Sequence, residues 1–129
     1  MFLMSLLFDP KWRRLRLACA ICMYVAILVA GSIPGARAEI GQYASGATLH
    51  SVAYAVLAFL CFTSSTGSPG ACAAKAVLAV AVMGAGDELV QSFFPYRGAA
   101  VRDWMVDCAA AVVTSTVLWA LVPRLVRVR

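Results

Sequence analysis

The chain has 129 residues, 63% of them hydrophobic and 13% charged, with a mean hydropathy of +0.86. A soluble domain carries roughly 25% charged residues, so the composition excludes an ordinary water-soluble globule and describes one domain's worth of integral membrane chain. The net charge of +5 does not point to nucleic acid, because the basic residues crowd the two ends, where they report membrane topology.

Met1–Phe8 is short and apolar, and Asp9-Pro10 breaks it. A basic cluster follows, Lys11, Arg13, Arg14 and Arg16, with Trp12 as an interfacial aromatic. The next apolar run predicts a first membrane helix over about 14–31, stopped by Gly31-Ser32-Ile33-Pro34-Gly35. The same region also reads as a secretory signal, with Ala36-Arg37-Ala38 before Glu39 as the cleavage site. Arg37–Gly46 is a polar loop.

A second helix is expected over about 47–62, with His50 and Tyr54 one turn apart on one face. Thr63–Gly70 is a loop of turn formers. A third helix is expected over about 73–94, ended by Pro95, and a fourth over about 103–122, ended by Pro123. The five cysteines lie in or beside apolar runs and suit packing better than a disulfide framework. The expected fold is all-α: a single integral membrane four-helix bundle over 1–129.

Orientation follows from Lys and Arg. With the N-terminus inside, eight basic residues fall on the cytoplasmic side, including Lys75 and the tail Arg124, Arg127 and Arg129. Only Arg37, Arg97 and Arg102 fall outside. This bias favours cytoplasmic N- and C-termini.

Gly86–Asp107 concentrates the charge. Six of the 17 charged side chains sit in these 22 residues: Asp87, Glu88, Arg97, Arg102, Asp103 and Asp107. Ionisable groups inside membrane-length apolar segments are costly and mark a functional site by default. The four-helix topology brings His50 and Tyr54, then Asp87, Glu88 and Gln91, then Asp103 and Asp107 into the outer half of the membrane. The expectation is an outward-facing polar pocket with three helical walls, roofed by the Pro95–Arg102 loop. Its chemistry is acid–base and anion binding. Glu88, with His50 or Asp103, are the candidate catalytic groups. Arg97, Gln91, Tyr54 and Asp107 are the candidate ligand-binding groups, with Arg97 on a phosphate or carboxylate. A divalent ion held by His50, Glu88 and an Asp is conceivable, but no ligand-spacing motif demands one, and no cofactor is expected. Buried polar groups can also simply bond one another and fix a bundle, and Arg97 or Arg102 can pair with Asp103.

The pattern resembles the VanZ-like family of small bacterial membrane proteins. The resemblance rests on His50 with Tyr54, Glu88-Leu89-Val90-Gln91, Phe93-Phe94-Pro95-Tyr96-Arg97 and Asp103, with Ser32-Ile33-Pro34 after the first helix. It spans about Gly31 to Val113. Two positions depart: Gly46-Ala47 stand where many members have Asp-Lys, and Asp107 stands where Asn is usual. The resemblance implies a four-helix protein whose first helix is retained. It also implies a bacterial inner-membrane location and a link to resistance against the glycopeptide teicoplanin. It supplies no settled reaction. Three readings follow: a site that binds a membrane lipid or a lipid-linked cell-wall intermediate and shapes envelope response; a membrane enzyme acting by acid–base chemistry on a lipid-linked phosphate; and a structural membrane subunit.

Overall fold

A computed structural model describes residues 2–127, with side chains through Pro123; Arg129, expected at the end of the basic tail, lies outside the described residues. Six helices follow one another: α1 (Phe2–Phe8), α2 (Arg13–Ser32), α3 (Ala36–Ile40), α4 (Gly46–Ser64), α5 (Pro69–Ser92) and α6 (Val101–Arg127). A single 3-10 turn, Pro10–Trp12, joins α1 to α2, and no strand occurs among the described residues. Four segments are long and apolar enough to cross a membrane: Pro10–Ser32, Gly46–Ser64, Pro69–Ser92 and Val101–Pro123. That is the profile of a multi-pass membrane protein.

Local signals set most of the boundaries. Ser45 Oγ accepts from the Thr48 N–H and starts α4. Ser68 Oγ accepts from the Ala71 N–H and starts α5, with Pro69 in the first turn where its missing N–H costs nothing. At the end of α2, Ile33 is extended, as the residue before a proline prefers. Gly35 then takes φ 81°, which lets the chain turn into α3.

Three boundaries differ from expectation. The α5 helix runs Pro69–Ser92 rather than 73–94, so Glu88 lies four residues from its end, about 6 Å at helical rise. The loop over Arg37–Gly46 contains the five-residue α3. Pro123 does not end α6, which continues to Arg127. Proline removes one backbone donor and crowds the carbonyl four residues earlier, yet a membrane-type helix absorbs this where neighbours re-satisfy the freed group.

The α4, α5 and α6 helices pack as a close triplet, and α2 leans on α4 and α5. Small residues make that approach possible: Ala20, Ala58, Ala76 and Ala111 are fully buried between helices. Tyr24 of α2 donates to the Met83 carbonyl of α5 at 2.9 Å, and Trp104 Nε1–H of α6 donates to the Ala81 carbonyl at 2.9 Å. The outer faces are apolar. Leu17, Ile21, Val25 and Val29 on α2, Val52 and Val56 on α4, Leu78 and Val82 on α5, and Val113 and Val117 on α6 are all exposed. This inside-out arrangement suits a lipid surround, where packing rather than water exclusion holds helices together. The five cysteines are free thiols.

Candidate functional site

The polar residues converge at one end of the bundle, where α2 ends, α4 begins, α5 ends and α6 begins. His50 and Tyr54 follow each other by one turn of α4, and their rings stack nearly parallel, 8° apart with centroids at 5.8 Å. Each ring is fixed to a different neighbouring helix. His50 Nδ1 lies 2.8 Å from Asp107 Oδ1 on α6. Tyr54 donates its hydroxyl to Asp87 Oδ2 on α5 at 3.1 Å. An ionised carboxylate can only accept, so Asp107 selects the tautomer with the proton on Nδ1 and leaves the lone pair on Nε2. That nitrogen faces Asp103 Oδ2 at 4.0 Å.

Glu88 is 8% exposed. Its Oε2 accepts from the Ala100 N–H at 2.6 Å, which ties the loop before α6 to α5. One carboxylate oxygen of Glu88, one of Asp103 and one His50 ring nitrogen lie within 4.8 Å of one another, the arrangement in this region that could hold a metal ion. Asp107 is fully buried and packs against Gly84, where a Cβ would stand 2.9 Å from Asp107 Oδ2 and 3.1 Å from Trp104 Cδ1. Only glycine lets α6 carry that carboxylate so close to α5.

His50 also lines a cavity of about 240 Å³ between α2, α3, α4 and α5. Its polar wall is Arg37, His50, Tyr54, Asp87, Gln91 and Arg97; the rest is mostly apolar. Tyr96 of the roof loop donates to the Ser32 carbonyl at 2.6 Å and anchors the loop to the end of α2. The Arg97 guanidinium reaches over Gly31, its Nη2 3.7 Å from where a Cβ there would stand. Among the described residues, six buried side-chain atoms have no hydrogen-bond partner. Five belong here: Glu88 Oε1, both amide atoms of Gln91, Arg97 Nε and Asp107 Oδ2. Native structures leave few such atoms unpaired, so their concentration at one site signals a place for a ligand.

The structure gathers every expected site residue at this end, but in two compartments. Tyr54, Gln91, Arg97 and Asp87 line the cavity. Glu88, Asp103 and Asp107 form an acidic cluster off the cavity lining, and His50 and Arg37 touch both groups. Of the three helical walls expected, α4 and α5 line the cavity and α6 does not; the end of α2 and α3 stand in its place. The ion pairing differs as well. Asp103 faces Arg37 Nη2 at 3.9 Å, whereas Arg102 is exposed. Arg37 is the residue that sequence reasoning missed. It sits in what read as a polar loop, and only the folding of α3 over Gly46 brings it to the site; its Nη2 lies 2.7 Å from where a Gly46 Cβ would stand. The one signal was that a lone arginine follows the end of the first membrane helix.

No family model, no curated protein and no solved structure matches the chain.

Proposed function

We propose that this chain is a multi-pass protein of the bacterial inner membrane, with both ends in the cytoplasm, whose outward-facing cavity binds the anionic headgroup of a membrane lipid or lipid-linked cell-wall intermediate. The observation that carries this reading is the polar wall of the cavity. Two guanidinium groups, Arg37 and Arg97, stand on it beside the unpaired amide of Gln91. A phosphate or carboxylate accepts from both arginines and from the Gln91 NH₂ at once, and charge-assisted bonds of this kind are the strong ones. The apolar remainder of the cavity, which opens among membrane-length helices, accommodates the first carbons of an acyl or prenyl chain.

Lys and Arg bias supports the orientation. The VanZ-like resemblance is carried by the residues around His50, and it supports a role in envelope response to glycopeptides of the teicoplanin type. Native mass spectrometry of the purified protein from lipid nanodiscs tests the binding claim. Anionic phospholipid is expected to remain bound in preference to zwitterionic phospholipid, with about a tenfold loss of that preference in Arg37→Gln and in Arg97→Gln. Equal retention of both lipids by the unaltered protein ends this reading.

A second reading is favoured by the His50–Asp107 pair at 2.8 Å with Glu88 nearby. A histidine oriented by a buried carboxylate is the usual arrangement of a general base. The site then performs acid–base hydrolysis or transfer on a lipid-linked phosphate. Glu88→Gln separates the two: binding survives it, whereas a reaction that needs the ionisable carboxylate does not.

A further inference from the structure

We propose that His50 Nε2, Glu88 and Asp103 form a binding site for one divalent transition-metal ion, of the zinc or manganese class, and that Asp107 is its positioning residue. The proposal goes beyond the anion reading and does not depend on it, because neither Arg37 nor Arg97 is a ligand.

The three donors come from three helices and converge. Their atoms lie within 4.8 Å of one another, and His50 Nε2 and Asp103 Oδ2 are already 4.0 Å apart. Donors around one ion with bonds of about 2.0–2.2 Å sit about 3 to 4.3 Å apart. Small side-chain rotations therefore close the set without moving a helix. One imidazole nitrogen with two carboxylates suits zinc, manganese or ferrous iron better than calcium or magnesium, which take oxygen donors.

Two independent observations point to a ligand here. Glu88 is more than nine-tenths buried, and its Oε1 has no hydrogen-bond partner although Oε2 is held by the Ala100 N–H. The carboxylate is thus anchored at one oxygen and unsatisfied at the other. The second is the orientation of His50. The His50 Nδ1–Asp107 Oδ1 bond turns the Nε2 lone pair towards Asp103. A ligating histidine almost always donates its other ring N–H to a carboxylate or carbonyl in this way. Stacking on Tyr54 removes the remaining freedom of the ring. Electrostatics agrees. Glu88, Asp103 and Asp107 crowd one buried corner, and the ion pairs there are those with His50 itself and a long contact from Arg37. An ion of charge +2 compensates that excess where lipid cannot.

Tag-free protein in detergent or nanodiscs, stripped with chelator, is titrated with Zn²⁺ and with Mn²⁺ alone by calorimetry, and Co²⁺ is added as a visible-absorption probe. One ion per chain is expected for at least one of the two metals, with affinity reduced at least 100-fold in Glu88→Gln, Asp103→Asn and His50→Gln. Asp107→Asn is expected to lower affinity about 10–100-fold and to shift the Co²⁺ absorption bands, a change that general loosening of the bundle does not produce. Arg97→Gln is expected to keep full metal affinity while losing anionic lipid, so failure of one proposal is read separately from failure of the other. X-ray absorption at the zinc or manganese edge on the unaltered protein, expected to show a nitrogen and oxygen shell, gives the ligand set even if a variant does not fold. Absence of a stoichiometric ion, or equal binding by the three ligand variants in folded form, overturns the site.

Discussion

The two ends of the bundle bury charge in opposite ways. At one end Arg16 is 4% exposed, and all of its contacts are structural. Its Nη1 donates to the carbonyls of Leu6 and Asp9 at 2.8 and 3.0 Å, and its Nε and Nη2 both donate to the Thr63 carbonyl at the end of α4. A positive charge at a helix C-terminus also meets the negative pole of the helix dipole. Nearby, the exposed Lys75 donates to the Thr66 carbonyl of the α4–α5 loop at 2.7 Å. At the other end, Glu88, Gln91 and Asp107 on α5 and α6, and Arg97 on the loop reaching over Gly31, keep unpaired atoms. Burial of a charged group therefore does not separate a strut from a site. Satisfaction does. Arg16 finishes its bonding within the chain, whereas the Glu88–Asp107 end has bonding capacity left over for something else.

Four substitutions sharpen or break that contrast. The largest effect is expected at the satisfied end. Arg16→Met removes the side-chain donor from the carbonyls of Leu6, Thr63 and Asp9, the last of which keeps the Trp12 N–H, and should cost about 3 kcal/mol, read as a lower unfolding midpoint in mixed micelles. Neither anionic lipid nor metal should restore it. If Arg16→Met is as stable as the parent, the strut interpretation fails. Next is Gly84→Ala, whose Cβ would meet Asp107 Oδ2 at 2.9 Å and Trp104 Cδ1 at 3.1 Å. Overpacking of this kind costs about 1–3 kcal/mol. Because it displaces Asp107 it should also weaken metal binding, so a fully stable Gly84→Ala with unchanged zinc affinity contradicts the packing described for α5 and α6.

Glu88→Gln should change stability by less than about 1 kcal/mol, since the amide oxygen can still accept from Ala100 while the buried charge disappears. Function is the readout that matters there. Glycopeptide susceptibility that survives Glu88→Gln but not Glu88→Ala excludes acid–base catalysis and leaves binding. The smallest stability effect, within about 0.5 kcal/mol, belongs to Arg97→Lys. It retains charge but loses the planar fork, so anionic lipid retention should fall several-fold. Full retention would show that Arg97 acts only as a point charge.

Much of this architecture was legible in the residues themselves. Apolar runs locate the four long helices to within a few positions, because in a membrane the length of the run is itself the structural constraint. Charges at Asp87, Glu88, Asp103 and Asp107 could be gathered at one depth from helix direction alone. What escaped was set by tertiary packing. Arg37 reaches the site only because α3 folds back over Gly46, and nothing in Ala36–Ile40 announces a helix. The choice of Asp107 rather than Asp103 as the partner of His50 Nδ1 depends on how far α6 is offset along its axis relative to α4, which i, i+4 spacing leaves open because both residues share the face. Pro123 misled in the other direction: the rule that proline ends a helix is weaker in a membrane-type helix, where neighbouring helices rather than water decide what is tolerated. Arg16 read as one member of a topological cluster, and its burial depends on α1, a helix too short to be expected on its own.

The stacked His50 and Tyr54 rings also have a mechanical meaning. With one ring tied to α6 through Asp107 and the other to α5 through Asp87, α4 is pinned at two successive turns. It can neither swivel about its axis nor slide past its neighbours without breaking both ties. The α4–α5–α6 triplet therefore acts as a fixed frame. The α2–α3 side is held at this end by the Tyr96 hydroxyl on the Ser32 carbonyl. Under the proposed lipid reading, α4 is therefore the stationary wall of the cavity, and the Tyr96 bond is what joins the loop over it to the end of α2.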